Sequence, residues 1–175
     1  LLRPYLEMNG GWFWWGDKKD FPTQDQFKTL WIYTYNYFEN VRQLDNLLWV
    51  YGPNYQGNDA MKSTTYYYPG TDYVDIVGLS YYHNDLSQID TNQSMTALMA
   101  LNKPICMSEI GPKNTGRIDK NEWDNLTYLG LNKYPVSYFV VWSSWRQHYM
   151  AIRDSKNADA LMNHDLIISQ DEVHY

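Results

Sequence analysis

Apolar positions along the chain follow two rhythms. Short, nearly continuous apolar runs recur at residues 1–8, Leu47-Leu48-Trp49-Val50-Tyr51, 75–82, Pro104-Ile105-Cys106-Met107-Ser108-Glu109 and 136–142. Runs of this length without polar alternation predict strands buried on both faces. Between them apolar side chains fall at steps of three and four. Phe27, Leu30, Trp31, Tyr35, Phe38 and Val41 form one such stripe, started by Pro22-Thr23-Gln24-Asp25 and running to about Arg42. Met95, Leu98 and Met99 predict a second helix over 91–102, and Trp123, Leu126 and Leu129 a third over about 120–132. A short helix is predicted at 157–162, a single helical turn at 71–74 and a polar tail at 163–175. Strands that alternate with helices imply parallel crossovers, hence an α/β sheet flanked by helices in one domain spanning 1–175.

The residues at the carboxyl ends of these strands carry the chemistry, because parallel α/β folds place their sites there. Glu7 closes the first run and passes through Gly10-Gly11 into Trp12-Phe13-Trp14-Trp15. Glu109 closes the fourth run ahead of Ile110-Gly111-Pro112. Tyr82 and Trp142 end the third and fifth. Indole faces stack on the apolar face of a pyranose ring, and a carboxyl group beside them can exchange a proton with a glycosidic oxygen. Burial beside aromatic groups raises a carboxyl pKa and suits it to act as an acid. A second carboxylate facing the first would attack the anomeric carbon, at a separation of roughly 5–5.5 Å in retaining enzymes. Two structural carboxylates, each satisfied by loop N–H groups beside core-filling aromatics, remain an equally physical reading of the same residues.

Composition narrows the classes. The net charge of −6 and the absence of a basic run exclude a phosphate-neutralising surface and with it a nucleic-acid partner. The 8 Trp and 17 Tyr suit carbohydrate recognition, although they suit a large core equally. Tyr66-Tyr67-Tyr68 are read as packing or rim residues, and the stripe from Phe27 to Phe38 as core. The single cysteine, Cys106, lies among apolar neighbours and reads as a buried strand position. The four histidines show no zinc-ligand spacing, so no metal or other cofactor is expected. No run approaches the roughly 20 apolar residues of a membrane span. The chain opens inside a strand-like run with no initiator Met, which reads as a cut.

The segment RPYLEMNGGWFWWG at 3–16 closely resembles the acid/base segment of glycoside hydrolase family 26, the endo-β-1,4-mannanases. LLWVYGPN at 47–54, YYPGTDYVDIVGLSYY at 67–82, SEIGP at 108–112 and YFVVWSSW at 138–145 match in the family's order and cover most of the chain. The resemblance implies a (β/α)8 barrel of which this chain covers roughly strands 4 to 8, together with a missing amino-terminal half. It implies Glu7 as acid/base and Glu109 as nucleophile of a double displacement. It also implies Tyr82 as the hydrogen-bond partner of the nucleophile, Trp142 beside the sugar at the cleavage point, and Trp12 and Trp15 shaping the cleft. The implied substrate is a β-mannan-type polysaccharide or oligosaccharide, and the implied location is secreted, periplasmic or cell-surface. A related endo-β-glycanase acting on β-glucan or xylan, and a carbohydrate-binding protein without turnover, are the alternatives. Two departures bear on them. Leu6 stands where the family usually has histidine, and Ser80 where it commonly has aspartate.

Overall fold

Thr23 starts the first helix by a reciprocal cap. Its hydroxyl accepts from the Gln26 N–H, and the Gln26 side chain accepts from the Thr23 N–H. Helix α1 then runs Gln24–Asn36 and buries Phe27 and Trp31 completely. The computed structural model describes residues 1–19, 22–83, 86–112, 132–146, 148–169 and 172–173. Beyond Asn36 the helix widens into a π-helical turn, Tyr37–Val41, in which the Arg42 N–H reaches the Tyr37 carbonyl at 2.9 Å. This change of winding shifts the side chains off the predicted stripe, and Val41, expected in the core, is 65 % exposed.

Among the described residues the strands are β1 (Val50–Tyr51), β2 (Ile76–Tyr82), β3 (Ile105–Gly111) and β4 (Val136–Phe139), in the sheet order β1-β2-β3-β4. The β1–β2 and β3–β4 pairs are parallel. Between β2 and β3 the Val77 N–H donates to Pro104 and the His83 N–H to Gly111, so partner numbers rise together as parallel pairing requires. All seven residues of β3 are buried, as the continuous apolar pattern predicts for an interior strand.

The predicted first strand at 1–8 forms only in part. Leu2 makes a single parallel bridge to Trp49, and the chain turns over 4–9. Pro4 cannot donate to a ladder, and Tyr5 and Glu7 adopt left-handed backbone angles, φ 50° and 53°, which no extended strand contains. Pairing resumes at one point, where the Glu7 N–H donates to the Gly52 carbonyl at 2.9 Å. Helix α2 (Ser94–Met99) starts later than the pattern suggests, because Asn92 and Gln93 are left-handed, and Asp90 caps its Met95 and Thr96 N–H groups at 2.9 Å. The single turn at Thr71–Tyr73 and the short helix Ala158–Met162 form as expected. The helix predicted over 120–132 lies, apart from Asn132, outside the described residues. No helix among the described residues is long and apolar enough to cross a membrane.

The chain packs as two units. The first is Leu1–Tyr81, Ile89–Ser108 and Val136–Phe139. Its core is aromatic: Trp31 meets Trp49 and Tyr51 with ring centroids 6.3 and 5.9 Å apart, and Phe27 meets Tyr67 at 5.0 Å. The polar ends of these rings are satisfied inside, Trp31 Nε1 by the Tyr73 carbonyl and the Tyr51 hydroxyl by that of Thr64. The stripe and Tyr67 are therefore packing residues, as read from sequence. The second unit is Tyr82–Gln88, Glu109–Pro135 and Val140–Tyr175, with Ile110, Met150 and Leu161 buried. In it the Ser144 hydroxyl accepts from the Met150 and Ala151 N–H groups and fixes the turn that follows Trp142.

Candidate active site

Within the first unit the site is built around Glu7. The turn over 4–9 gives it a left-handed backbone, a conformation that costs a non-glycine residue energy and concentrates at functional positions. The side chain is 8 % exposed, and its Oε2 accepts from Trp12 Nε1 at 2.8 Å. Burial raises its pKa, and this outweighs the opposing effects of the Trp12 indole, the Arg3 charge and the Ser80 hydroxyl. The raised affinity for a proton is the property a general acid requires.

The loop that carries the indoles is held from beneath. Asn9 is buried; its amide donates to the Asn54 and Lys62 carbonyls at 2.7 and 3.2 Å, and its oxygen accepts from the Asn54 N–H at 2.8 Å. The Trp12 ring folds over Gly10, where a Cβ would stand 2.1 Å from the ring, so only glycine permits the indole to reach Glu7. Trp12 is 53 % exposed and Trp14 74 %. Trp15 is half-buried, donates to the Leu6 carbonyl at 2.8 Å and stacks on Phe13 at 4.5 Å. The indoles open to a ligand are thus Trp12 and Trp14; sequence alone does not separate Trp14 from its neighbours.

Within the second unit Glu109 stands near the end of β3, only 4 % exposed. Its Oε2 accepts from the Tyr82 hydroxyl and from Trp142 Nε1, each at 2.6 Å. Hydrogen bonds this short, from a phenol and an indole to a carboxylate, hold the anion in one orientation. Gly111 makes room for this arrangement, since a Cβ there would stand 2.8 Å from the Tyr82 ring. Trp142 is 50 % exposed and meets Trp145 edge-on at 6.3 Å; Trp145, 47 % exposed, also lies against the His148 ring.

The two departures noted in the sequence have local counterparts. Leu6 is half-buried and contributes its carbonyl to Trp15. Ser80 is fully buried, its hydroxyl 3.3 Å from that of Ser108. Cys106 is buried, and its thiol is pushed up to about 11 by burial, which leaves it unreactive at neutral pH. Sequence reasoning missed Asn9 and Arg3. An Asn before Gly at a turn, and a lone cation in an apolar run, were the available signals.

A parallel sheet flanked by helices, with Glu109 near the carboxyl end of β3, defines a protein of the β/α-barrel class. The chain belongs to glycosyl hydrolase family 26, whose model matches residues 1–172. It is 37 % identical over 180 residues to a mannan endo-1,4-beta-mannosidase of Bacillus subtilis (strain 168), covering 99 % of this chain and 46 % of that protein. It is 36 % identical over 183 residues to mannan endo-1,4-beta-mannosidase A and B of Caldalkalibacillus mannanilyticus, covering 100 % and 33 %. Among solved structures, Bacillus subtilis mannanase man26 superimposes with a TM-score of 0.79 at 31 % identity, over 100 % of this chain and 49 % of that one. The chain spans about a third to a half of the length of these relatives, and its parallel sheet is part of a (β/α)8 barrel.

Proposed function

We propose that this chain is the part of a retaining endo-β-1,4-mannanase catalytic domain that carries both catalytic carboxyl groups, acting together with the barrel strands that precede it in its relatives. The observation that carries the reading is the convergence of Tyr82 and Trp142 on one oxygen of Glu109. A carboxylate held by two donors and flanked by an exposed indole is suited to attack an anomeric carbon. Glu7, whose proton affinity burial raises, gives its proton to the leaving glycosidic oxygen as the bond from anomeric carbon to that oxygen breaks and the bond to Glu109 forms. Glu7, now a carboxylate, takes a proton from water. The water oxygen then displaces Glu109, and the anomeric configuration is retained. Trp12 and Trp14 in the first unit, and Trp142 in the second, each offer an indole face to sugar, and Trp15 supports the loop. The reaction needs no metal or organic cofactor. A polymeric substrate places such an enzyme outside the cytoplasm, secreted, periplasmic or at the cell surface.

The test is hydrolysis of galactomannan, glucomannan, mixed-linkage β-glucan and xylan by the full-length protein and its Glu109→Ala variant. Release of manno-oligosaccharides, reduced by several orders of magnitude in Glu109→Ala, is expected. Product that first appears with inverted configuration at the anomeric carbon would overturn the double displacement. Cleavage of glucan or xylan alone would move the substrate and point to Leu6. Binding without cleavage by the folded full-length protein would sink the enzyme reading in favour of a sugar-binding role.

A further inference from the structure

We propose that Arg3 is a positioning residue that braces both glutamate-bearing segments. Its guanidinium holds the carbonyl of Ser108, the residue before Glu109, and its stem lies against Gly52, the residue that anchors the Glu7 backbone. This inference rests on the catalytic reading of Glu7 and Glu109. Arg3 Nη1 donates to the Ser108 carbonyl at 2.6 Å, across 105 residues of sequence. A charged donor at this distance makes one of the stronger kinds of hydrogen bond, and the peptide group it grips is the one that leads into Glu109. A Cβ at Gly52 would stand 2.8 Å from Arg3 Cδ and 3.0 Å from Ser108 Oγ, so glycine at 52 leaves room for the arginine to cross. The Gly52 carbonyl in turn accepts from the Glu7 N–H at 2.9 Å. One cation therefore lies between the anchor of the first glutamate and the peptide before the second.

The same cation tunes the acid. Glu7 is faced by Trp12 from its own loop, by Arg3 from the segment before the turn and by Ser80 from β2. Arg3 is also felt by Cys106 on β3 and Tyr138 on β4, two groups whose pKa values burial pushes up. The guanidinium is a charge that opposes the rise at Glu7, after the Trp12 hydrogen bond. Arginine suits the role because it cannot lose its proton and its planar fork fixes a carbonyl in direction as well as distance.

The test compares Arg3→Met, Arg3→Lys and Gly52→Ala in the full-length protein, each checked for folding by circular dichroism. Arg3→Met is expected to lower kcat by about tenfold or more, with KM changed by less than about threefold, because misplaced catalytic groups cost turnover more than ground-state binding. It is also expected to move the basic limb of the kcat/KM profile to higher pH. Arg3→Lys restores the limb, since the charge remains, but only part of kcat. Gly52→Ala lowers kcat without moving the limb. A folded Arg3→Met protein with wild-type kcat, or with an unmoved limb, overturns the proposal. Should Arg3→Met not fold, wild-type kcat in both other variants overturns it. If the wild-type protein hydrolyses no glycan, the catalytic reading has failed. The electrostatic part then stands or falls on carbon-13 NMR titration of the Glu7 carboxyl, which is expected to move to higher pH in Arg3→Met.

Discussion

Two donors at 2.6 Å on one oxygen of Glu109 divide the labour of holding a buried carboxylate between a phenol and an indole. A hydrogen bond to a charged group contributes about 1.5–3 kcal/mol, so each donor is worth roughly 10- to 100-fold in a step that uses the anion. Trp142→Phe keeps a ring and removes the N–H, and Tyr82→Phe does the same for the hydroxyl. Each is expected to lower kcat/KM by about 10- to 100-fold in steady-state assays with a soluble mannan. A full-activity Trp142→Phe protein would mean that the indole serves only as a surface. Glu7 carries an opposite signature, visible in stability. Its proton affinity is higher in the folded chain than at the ordinary value of 4.5, so the fold is favoured most below that value and loses this contribution as pH rises through the folded pKa. Glu7→Gln, which stays neutral, is therefore expected to melt higher than wild type at pH 7.5. The gap should close as pH approaches about 4.5, and an equal gap at both pH values would contradict the raised pKa.

At the scale of elements, helix α1 is the best-specified segment. Its start is fixed by the Thr23–Gln26 cap and its buried face by Phe27 and Trp31. Thr23→Ala removes the acceptor for the Gln26 N–H and is expected to cost about 0.5–2 kcal/mol by chemical denaturation. The interior of the sheet is tighter. A Cβ at Gly78 would stand 2.6 Å from Cys106 Sγ and 2.8 Å from Ser108 Cβ, atoms of a strand with no room to retreat. Gly78→Ala is expected to cost about 1–3 kcal/mol, the usual range for overpacking, and a neutral result would mean that β3 shifts freely. Sequence pattern predicted these elements well where the backbone winds regularly, as in the apolar stripe of α1 and the continuous apolar runs of β2 and β3. It failed where the backbone itself departed from a regular winding. The π-helical turn sends Val41 outward, and the left-handed Tyr5 and Glu7 turn a predicted strand into a loop. Neither event changes the spacing of apolar residues, so neither is visible in it.

At the scale of the molecule, the sheet order β1-β2-β3-β4 leaves β1 and β4 as outer strands among the described residues, with Leu2 bridged to the residue before β1. Unpaired strand edges favour association between chains. The chain spans 46 % of its Bacillus subtilis relative, and closing a barrel with further strands would cover such edges. A protein extended at its amino end by the corresponding barrel strands is expected to elute as a monomer on size exclusion, to bind less hydrophobic dye and to unfold in one sharper transition than the 175-residue chain alone. Equal behaviour of the two would mean that the edges are already closed by other parts of the chain.

The sequence alone determined the parallel α/β class, the strand ends at Tyr82 and Glu109, and the family the chain resembles, whereas Glu7 lies in a turn and Trp142 beyond the end of β4. It could do so because burial on both faces and the order of short segments are linear properties of a chain. Only the tertiary structure decided which indole reaches Glu7, that Tyr82 and Trp142 share one oxygen of Glu109, and that Arg3 grips Ser108 from 105 residues away. These are matters of direction and distance between segments far apart in sequence. They depend on room left by glycines at 10, 52 and 111 and on left-handed turns, none of which leaves a mark in hydrophobic spacing.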